Sequence, residues 1–597
     1  MTQPAQVQWD LSSLYESMED PRIEQTLREQ LARAEEFAKK YRGRINSSQL
    51  DAQTLLEAIR EFESINQEAS KPSNFAGLLF AADTSDPARG AFLQKMHEKA
   101  TEISVHLIFF DVELLDASQE TIAAVLQNSK LDGYRHYVKS ARLFRDHHLS
   151  EPEERLMEEK ANTGSRAFSR LFEETLSNIP FTLVWNGETT TLTEPEIMAL
   201  LREPDRELRR TAASSLTEGL KANSRTLTFI FNTLVQDKAV NDRLRRYEFP
   251  EQARHLSNEL APETVELVVK TAEDNYDLVA RYYHLKRRIL GYDKLMHYDR
   301  YAPLFETRKK VSFEHAKEIV LNSFGVFSEV IAQRAREFFD RNWIDAEVRK
   351  GKRGGAFCAY ITPDLHPFVF VNYLDRMDDV TTLGHELGHG VHSSLSREQS
   401  YLNFHGTLPL AELASTFGEM LVFDSLVREA DRDDKIALYA EKIEGVFATI
   451  FRQAAMYRFE QDLHRARREQ GELTTEQIGE IWQQRIQEMF ADSVELGDEH
   501  KFWWQYVSHF IEAPFYVYAY SFGELLVLAL YAKYQREGSD FPPRYIEMLK
   551  AGGSMSPEEL LSHVQIDISR REFWQGGVDV LRGLIDRFEE LYEESAG

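Results

Sequence analysis

Apolar positions in the first part of the chain recur with the period of an α-helix. Ile23, Leu27, Leu31, Ala34, Phe37 and Tyr41 fall on one stripe, and Gly43 follows as a C-terminal stop, which predicts an amphipathic helix. Leu55, Ile59, Phe62 and Ile65 repeat the pattern. The run from Leu107 to Leu115 is apolar on more than one side, which predicts deeper burial. The period breaks after Pro180, where FTLVWNGETTTLT reads as two short β-branched runs around an Asn186-Gly187 hairpin turn. Helices are expected again from Glu194-Pro195 to about residue 345. GKRGGAF then reads as a loop and PFVFVNY as a strand. From Asp378 onward the helical period returns and persists, interrupted near residue 551 by AGGSMSP. There is no internal repeat and no low-complexity tract. The pattern predicts a mainly α fold with a few short β-strands.

Composition narrows the function classes. At roughly 100–200 residues per domain, 597 residues exclude a small module, and 42% hydrophobic with 28% charged residues is the balance of a globular protein. Asp and Glu number 98 against 71 Lys and Arg, and the formal net charge of −27 opposes binding to nucleic-acid backbones and to anionic membrane surfaces. A single cysteine, Cys358, excludes an internal disulfide and a cysteine-built metal site, and fits a reducing compartment. MTQPAQVQWDLSSLY lacks the basic and apolar regions of a secretory leader, so a cytoplasmic setting is expected. The most apolar long window, Ala513 to Ala532, carries Pro514, Ser521, Glu524 and four tyrosines, so a buried helix is expected there rather than a membrane span.

The chemistry concentrates in TTLGHELGHGVHSS, which holds His385, Glu386 and His389 as H-E-x-x-H. Residues i and i+4 of a helix differ by about 40° around the axis, so both imidazoles can face one zinc ion. Glu386, rotated about 100° from His385, stands beside the metal, where a carboxylate can take a proton from metal-bound water. Asp378 or Asp379 is expected to cap this helix, and Gly384, Gly388 and Gly390 permit close approach of another backbone. His392 lies near the same face and reads as packing or outer-shell support. Catalytic zinc takes three protein ligands, so a third must come from elsewhere. Glu412 and Glu419, in LPLAELASTFGEM, are the candidates, expected on one face of a neighbouring antiparallel helix. A second carboxylate at that spacing more naturally anchors a ligand histidine through its other ring nitrogen.

Taken with HGTLPLAELASTFGE, FRQAAMYRFE, HFIEAPFYVYAYSFG, the WDLSSLY start and AFSRLFEETL, the motif resembles the thimet oligopeptidase family of zinc peptidases, in its oligoendopeptidase F branch, over nearly the whole chain. The resemblance implies a large multi-helix zincin-type peptidase enclosing a deep substrate channel, with one zinc ion at its floor and endopeptidase activity on short peptides. It implies zinc ligands at His385, His389 and Glu412 and a general base at Glu386. It further implies a histidine and tyrosines that stabilise the transition state. His509 matches the histidine, with Tyr520 first and Tyr516 second among the tyrosines. These two share a helical face at i and i+4, whereas Tyr518 points away. Gly406-Thr407 matches a loop near the zinc, the GKRGGAF loop is expected over bound peptide, and PFVFVNY reads either as an edge strand offered to it or as a buried strand.

The expected organisation is an N-terminal helical domain, residues 1–195, forming part of the channel wall, and a catalytic domain, residues 196–597. The expected partners are short peptides, with neither nucleic acid nor membrane. Two rival readings are a metal-dependent (dipeptidyl) carboxypeptidase and a peptide-binding protein without turnover. Glu386 argues against the second, since a binding module needs no base.

Overall fold

The computed structural model describes residues 7–305 and 310–596. The protein is mainly α-helical. Its strands are short: β1 (Phe181–Trp185), β2 (Glu188–Leu192), β3 (Leu295–Met296), β4 (Ile344–Asp345), β5 (Phe357–Ala359), β6 (Phe368–Phe370) and β7 (Val494–Glu495). The chain forms two compact units, each assembled from three stretches. The first comprises Met1–Glu151, Lys309–Glu429 and Lys533–Asp567, and the second comprises Pro152–Arg308, Ala430–Ala532 and Ile568–Gly597. Among the described residues no helix is long and apolar enough to cross a membrane.

In the first unit the opening stripe forms the helix Pro21–Tyr41. Asp20 caps it by accepting the Arg22 N–H at 2.9 Å, and Gly43 leaves it with a positive φ of 77°. Gln30 is buried on its inner face, while Leu31 is only partly buried at the edge of the core. The helix Ala52–Ala82 follows, capped by Asp51, and Phe37, Phe62, Phe109 and Phe110 meet in one aromatic cluster. That core extends into the stretch from Lys309 to Glu429, because Trp9 packs on Phe357, Phe368 and Phe370. The three-stranded sheet is ordered β4-β6-β5, with β6 parallel to β4 and antiparallel to β5. PFVFVNY therefore holds the central strand, buried and paired on both sides, which settles its two readings in favour of the buried one. Three consecutive buried positions mark a strand covered on both faces. The edge falls to β5, at the end of the GKRGGAF loop.

In the second unit the Asn186-Gly187 turn closes the β1–β2 hairpin, with φ of 51° and 83° at the two turn residues and Trp185 opposite Glu188. The hairpin lies on the long helix Arg206–Leu244, where Gly219 leaves space for the Phe181 ring: a Cβ there would stand 2.5 Å from it. Helical structure between 194 and 345 is interrupted by β3, which pairs in parallel with β7 two hundred residues later. A two-residue pairing across that separation leaves no periodic trace in the sequence. The apolar window resolves into a helix over Tyr518–Glu537, preceded by a non-helical stretch in which Phe515 has a positive φ of 59°.

Candidate metal centre and catalytic residues

The H-E-x-x-H segment lies in the helix Met377–Ser396 of the first unit. Its N-cap is Arg376, not an aspartate. Asp379, two residues inside, reaches back to accept the N–H groups of Leu374 at 2.7 Å and Arg376 at 2.9 Å. A carboxylate in the first turn serves the free amides and the helix dipole from that position as well.

Small residues bring the candidate third ligand, a carboxylate, to the histidines. A Cβ on Gly388 would stand 2.4 Å from the Ala414 carbonyl oxygen and 2.6 Å from Ser415 Cα, so the 414–415 backbone lies directly on the histidine helix. A Cβ on Gly384 would stand 2.7 Å from the Val422 side chain, and one on Gly418 would come within 3.0 Å of the Gly384 carbonyl oxygen. Glu412 itself is not on a continuous helix with Glu419, as the period suggested. It ends the single turn Leu408–Ala411, and the helix Ser415–Glu429 starts three residues later. Pro409 near the start of that turn and the close approach at Gly388 account for the break. The Ser415 hydroxyl donates to Glu412 Oε2 at 2.7 Å, a positioning contact the sequence reading missed.

The ligand atoms converge. Glu412 Oε2 lies 3.2 Å from His385 Nε2 and 3.4 Å from His389 Nε2, and one donor atom from each of the three residues lies within 4.8 Å of the others. Nitrogen and oxygen ligands about 2.0–2.1 Å from a tetrahedral ion stand about 3.3 Å apart, so the spacing fits a metal held by His385, His389 and Glu412. Glu419 lies behind the first histidine, its Oε2 3.3 Å from His385 Nδ1. That contact leaves Nε2 turned toward Glu412.

Electrostatics follow from this packing. Burial acts to lower the basicity of His385, but Glu412 and Glu419 outweigh it and raise its pKa to about 10. Burial acts to raise Glu412, and hydrogen bonds from His385 and His389 overcome it, holding that carboxyl well below the usual range. Glu386 is 6% exposed. Burial raises its pKa against the pull of the two histidines, and its Oε2 has no hydrogen-bond partner. A buried carboxylate oxygen without a partner, beside a converging donor set, is where a base for an incoming water is needed. His392 is kept neutral by burial, with a pKa of about 4, and does not join the donor set. Cys358 on β5 has its thiol pushed up by burial and by the neighbouring Glu386 charge.

The remaining candidates lie in the second unit. His509 Nε2 is 3.2 Å from the Tyr520 hydroxyl, and Tyr516 stacks near both, its ring centroid 5.9 Å from His509 and 4.9 Å from Tyr520. Tyr516 precedes the helix that carries Tyr520, so the loop before it, and not an i,i+4 face, brings the rings together. Tyr518 is turned into the core, where its hydroxyl accepts from Asn258 at 2.8 Å. Burial and the charge of Arg452 lower the basicity of His509. In the first unit Thr407 stands at the N-cap position of the turn leading to Glu412, without a side-chain capping bond, and the Gly406 loop packs on Gly552 of AGGSMSP.

Known proteins share this arrangement of sequence. Residues 113–181 match the family described as Oligopeptidase F. The plasmid-encoded oligoendopeptidase F of Lactococcus lactis subsp. cremoris is 27% identical over 603 residues, covering 99% of this chain and 98% of that protein. Oligopeptidase PepF of Bacillus subtilis is 27% identical, with 92% of this chain and 82% of that protein covered. The crystal structure of oligoendopeptidase-F from Enterococcus faecium superposes with a TM-score of 0.74 at 23% identity, over 96% of this chain and 99% of that one, which establishes the likeness of fold. Residues 199–579, well over half the chain and including all three clustered donors, match Peptidase family M3, and the chain therefore belongs to that family of metal-dependent peptidases.

Proposed function

We propose that the protein is a zinc metallo-endopeptidase of the oligoendopeptidase F branch that hydrolyses internal bonds of short peptides. The observation that carries this reading is the approach of Glu412 Oε2 to both histidine Nε2 atoms, with the unpartnered Glu386 oxygen buried beside them. A zinc ion held by His385, His389 and Glu412 supplies Lewis acidity toward water and the scissile carbonyl. Glu386 takes the proton from the attacking water and returns it to the leaving amine, and its raised pKa suits both transfers. Glu419 holds His385 in the tautomer that presents Nε2. His509 and Tyr520, with Tyr516 beside them, are assigned to the developing oxyanion on the family resemblance, and their mutual hydrogen bond supports treating them as one group. β5 supplies the free strand edge that PFVFVNY does not, giving main-chain hydrogen bonds that tolerate varied sequences.

The same reading includes the channel-wall role of residues 1–195, the catalytic role of 196–597, and cytoplasmic action on short peptides. An internally quenched peptide, incubated with the purified protein, is expected to be cleaved, to be spared once a chelator is added, and to be cleaved again on zinc restoration. Cleavage that persists through chelation, or none in the metal-loaded protein, contradicts it.

A further inference from the structure

The AFSRLFEETL segment and the second half of the helix Phe451–Gln470 meet at a cavity of about 760 Å³ that lies wholly within the second unit and that the peptidase reading leaves unused. Its volume falls in the range of small-molecule sites, about 300–1,000 Å³. The helix Ser165–Ser177, the C-terminal part of the helix Arg206–Leu244 and the short helix His509–Glu512 wall it. Leu234, Val235, Phe510 and Ile511 give it buried apolar surface. His464 lines it too, 1% exposed, with its ring packed on Phe515 and its Nδ1 buried without a partner. Burial, with the charges of Lys238 and Arg468, holds this imidazole well below its ordinary pKa, so the ring is neutral and one of its nitrogens can accept a hydrogen bond. A buried polar atom left unsatisfied in a cavity wall marks a place where a ligand group is missing.

The charges lining this cavity do not balance. Its cations are all engaged. Lys238 donates to both oxygens of Asp242 at 2.9 and 3.1 Å, and Arg245 holds Glu154 through two guanidinium nitrogens at 2.7 and 2.8 Å. Arg166 pairs with Glu158 and Arg170 with Glu174, while Asp242 takes a second cation in Arg468. Three carboxylates are left over, those of Glu173, Asp237 and Glu512, all open to solvent at the mouth. Burial pushes the Asp237 carboxyl up, and burial and then the charge of Glu173 push Glu512 up, with no cation acting on either. Partly desolvated carboxylates without a counter-ion favour a ligand that brings positive charge. They are too far apart to share one metal ion, since among the described residues the only such donor set is His385, His389 and Glu412. The complementary ligand is therefore extended, carries more than one positive charge, and has an apolar stem.

We propose that this cavity binds an aliphatic oligoamine, with ammonium groups at Asp237 and at the Glu173–Glu512 pair, its methylene chain along Leu234, Val235 and Phe510, and one N–H given to His464. Each feature excludes another class. An anion would meet cations that are already paired, a lone metal ion could not reach the separated carboxylates, and an apolar molecule would leave the carboxylates and His464 unanswered. The site belongs to the second unit alone, and its occupancy does not depend on the peptidase reading.

The test is isothermal titration of the full chain with spermidine at fixed ionic strength. One saturable site is expected, and magnesium chloride exchanged for sodium chloride at the same ionic strength should not displace it. The double variant Asp237→Asn/Glu512→Gln changes only exposed side chains and should weaken binding about tenfold or more, the effect of losing charge-assisted hydrogen bonds. His464→Phe keeps a ring against Phe515 while removing the acceptor, and should also weaken binding about tenfold. The control Asp492→Asn/Asp498→Asn removes the same charge from exposed acids outside the cavity and should leave the affinity within about twofold of wild type. A titration without saturable binding, equal weakening by the control pair, or displacement by magnesium overturns the proposal. Unchanged affinity in Asp237→Asn/Glu512→Gln or in His464→Phe overturns it as well.

Discussion

At position 386 a carboxylate is buried beside two imidazoles with one oxygen unpartnered. Glu386→Gln keeps shape and hydrogen-bonding size but cannot accept the proton of water. It is expected to retain fold and metal content while losing about a hundredfold or more of kcat, checked by elemental analysis alongside peptide assays. His385→Ala should lose the metal outright. Glu419→Gln should weaken metal affinity by about ten- to a hundredfold, with activity recovered at saturating metal, because it touches the ligand and not the reaction. The pH dependence has a definite sign. Without metal, His385 is protonated up to about pH 10, and the stabilisation from its carboxylate neighbours is fully present below its ordinary 6.5 and is lost as pH rises through about 10. Metal requires the neutral ring, so apparent metal affinity should climb from pH 6.5 toward 10 in a chelator competition, and a flat profile would contradict the pairing. At this scale the sequence was most legible for groups whose spacing is local. His385, Glu386 and His389 are one helical turn. Ser415, three residues after Glu412, was missed because the period suggested one continuous helix there, not the break that sets its hydroxyl against the carboxylate.

The element that matters most is the contact between the histidine helix and the segment around Glu412. Gly388 permits it, and a methyl group there would run into backbone rather than into a side chain that can turn aside. Gly388→Ala is expected to push the 412–415 backbone away, lowering stability by about 1–3 kcal/mol and weakening metal binding in parallel, read by thermal unfolding with and without zinc. Unchanged metal affinity in that variant would show that Glu412 is held by other means. Helix and hairpin patterns transferred well from sequence to structure where a stripe or a turn pair carried them, as at Ile23 to Tyr41 and Asn186-Gly187. Two elements did not. A short apolar strand looks alike at the centre and the edge of a sheet, which is why the sequence left both readings of PFVFVNY open, and the break at Glu412 goes with Pro409 and the close packing on Gly388, which the helical period does not show.

Across the molecule, each compact unit is woven from separate stretches, so the segment with the proposed metal ligands shares a core with the N-terminal helices. A fragment of residues 196–597 lacks Trp9 and the Phe37–Phe62–Phe110 cluster that complete that core. It is expected to be expressed as an aggregate or a molten form without cooperative unfolding, visible in near-ultraviolet circular dichroism. A fragment that folds and binds zinc would contradict this. Mass and charge were readable at once from composition, but the interleaving was not, since it rests on pairings such as β3 with β7 that no local pattern announces. The account as a whole makes one claim that a single experiment reaches most directly: metal-dependent cutting inside short peptides by way of Glu386. A defined mixture of N-terminally acetylated peptides, digested by the zinc-loaded protein, by the chelated protein and by Glu386→Gln, and read by mass spectrometry, should show primary cuts more than two residues from either end in the first sample alone. Stepwise release of single residues or dipeptides from the C-terminus, or cuts that survive chelation or the loss of Glu386, would contradict it.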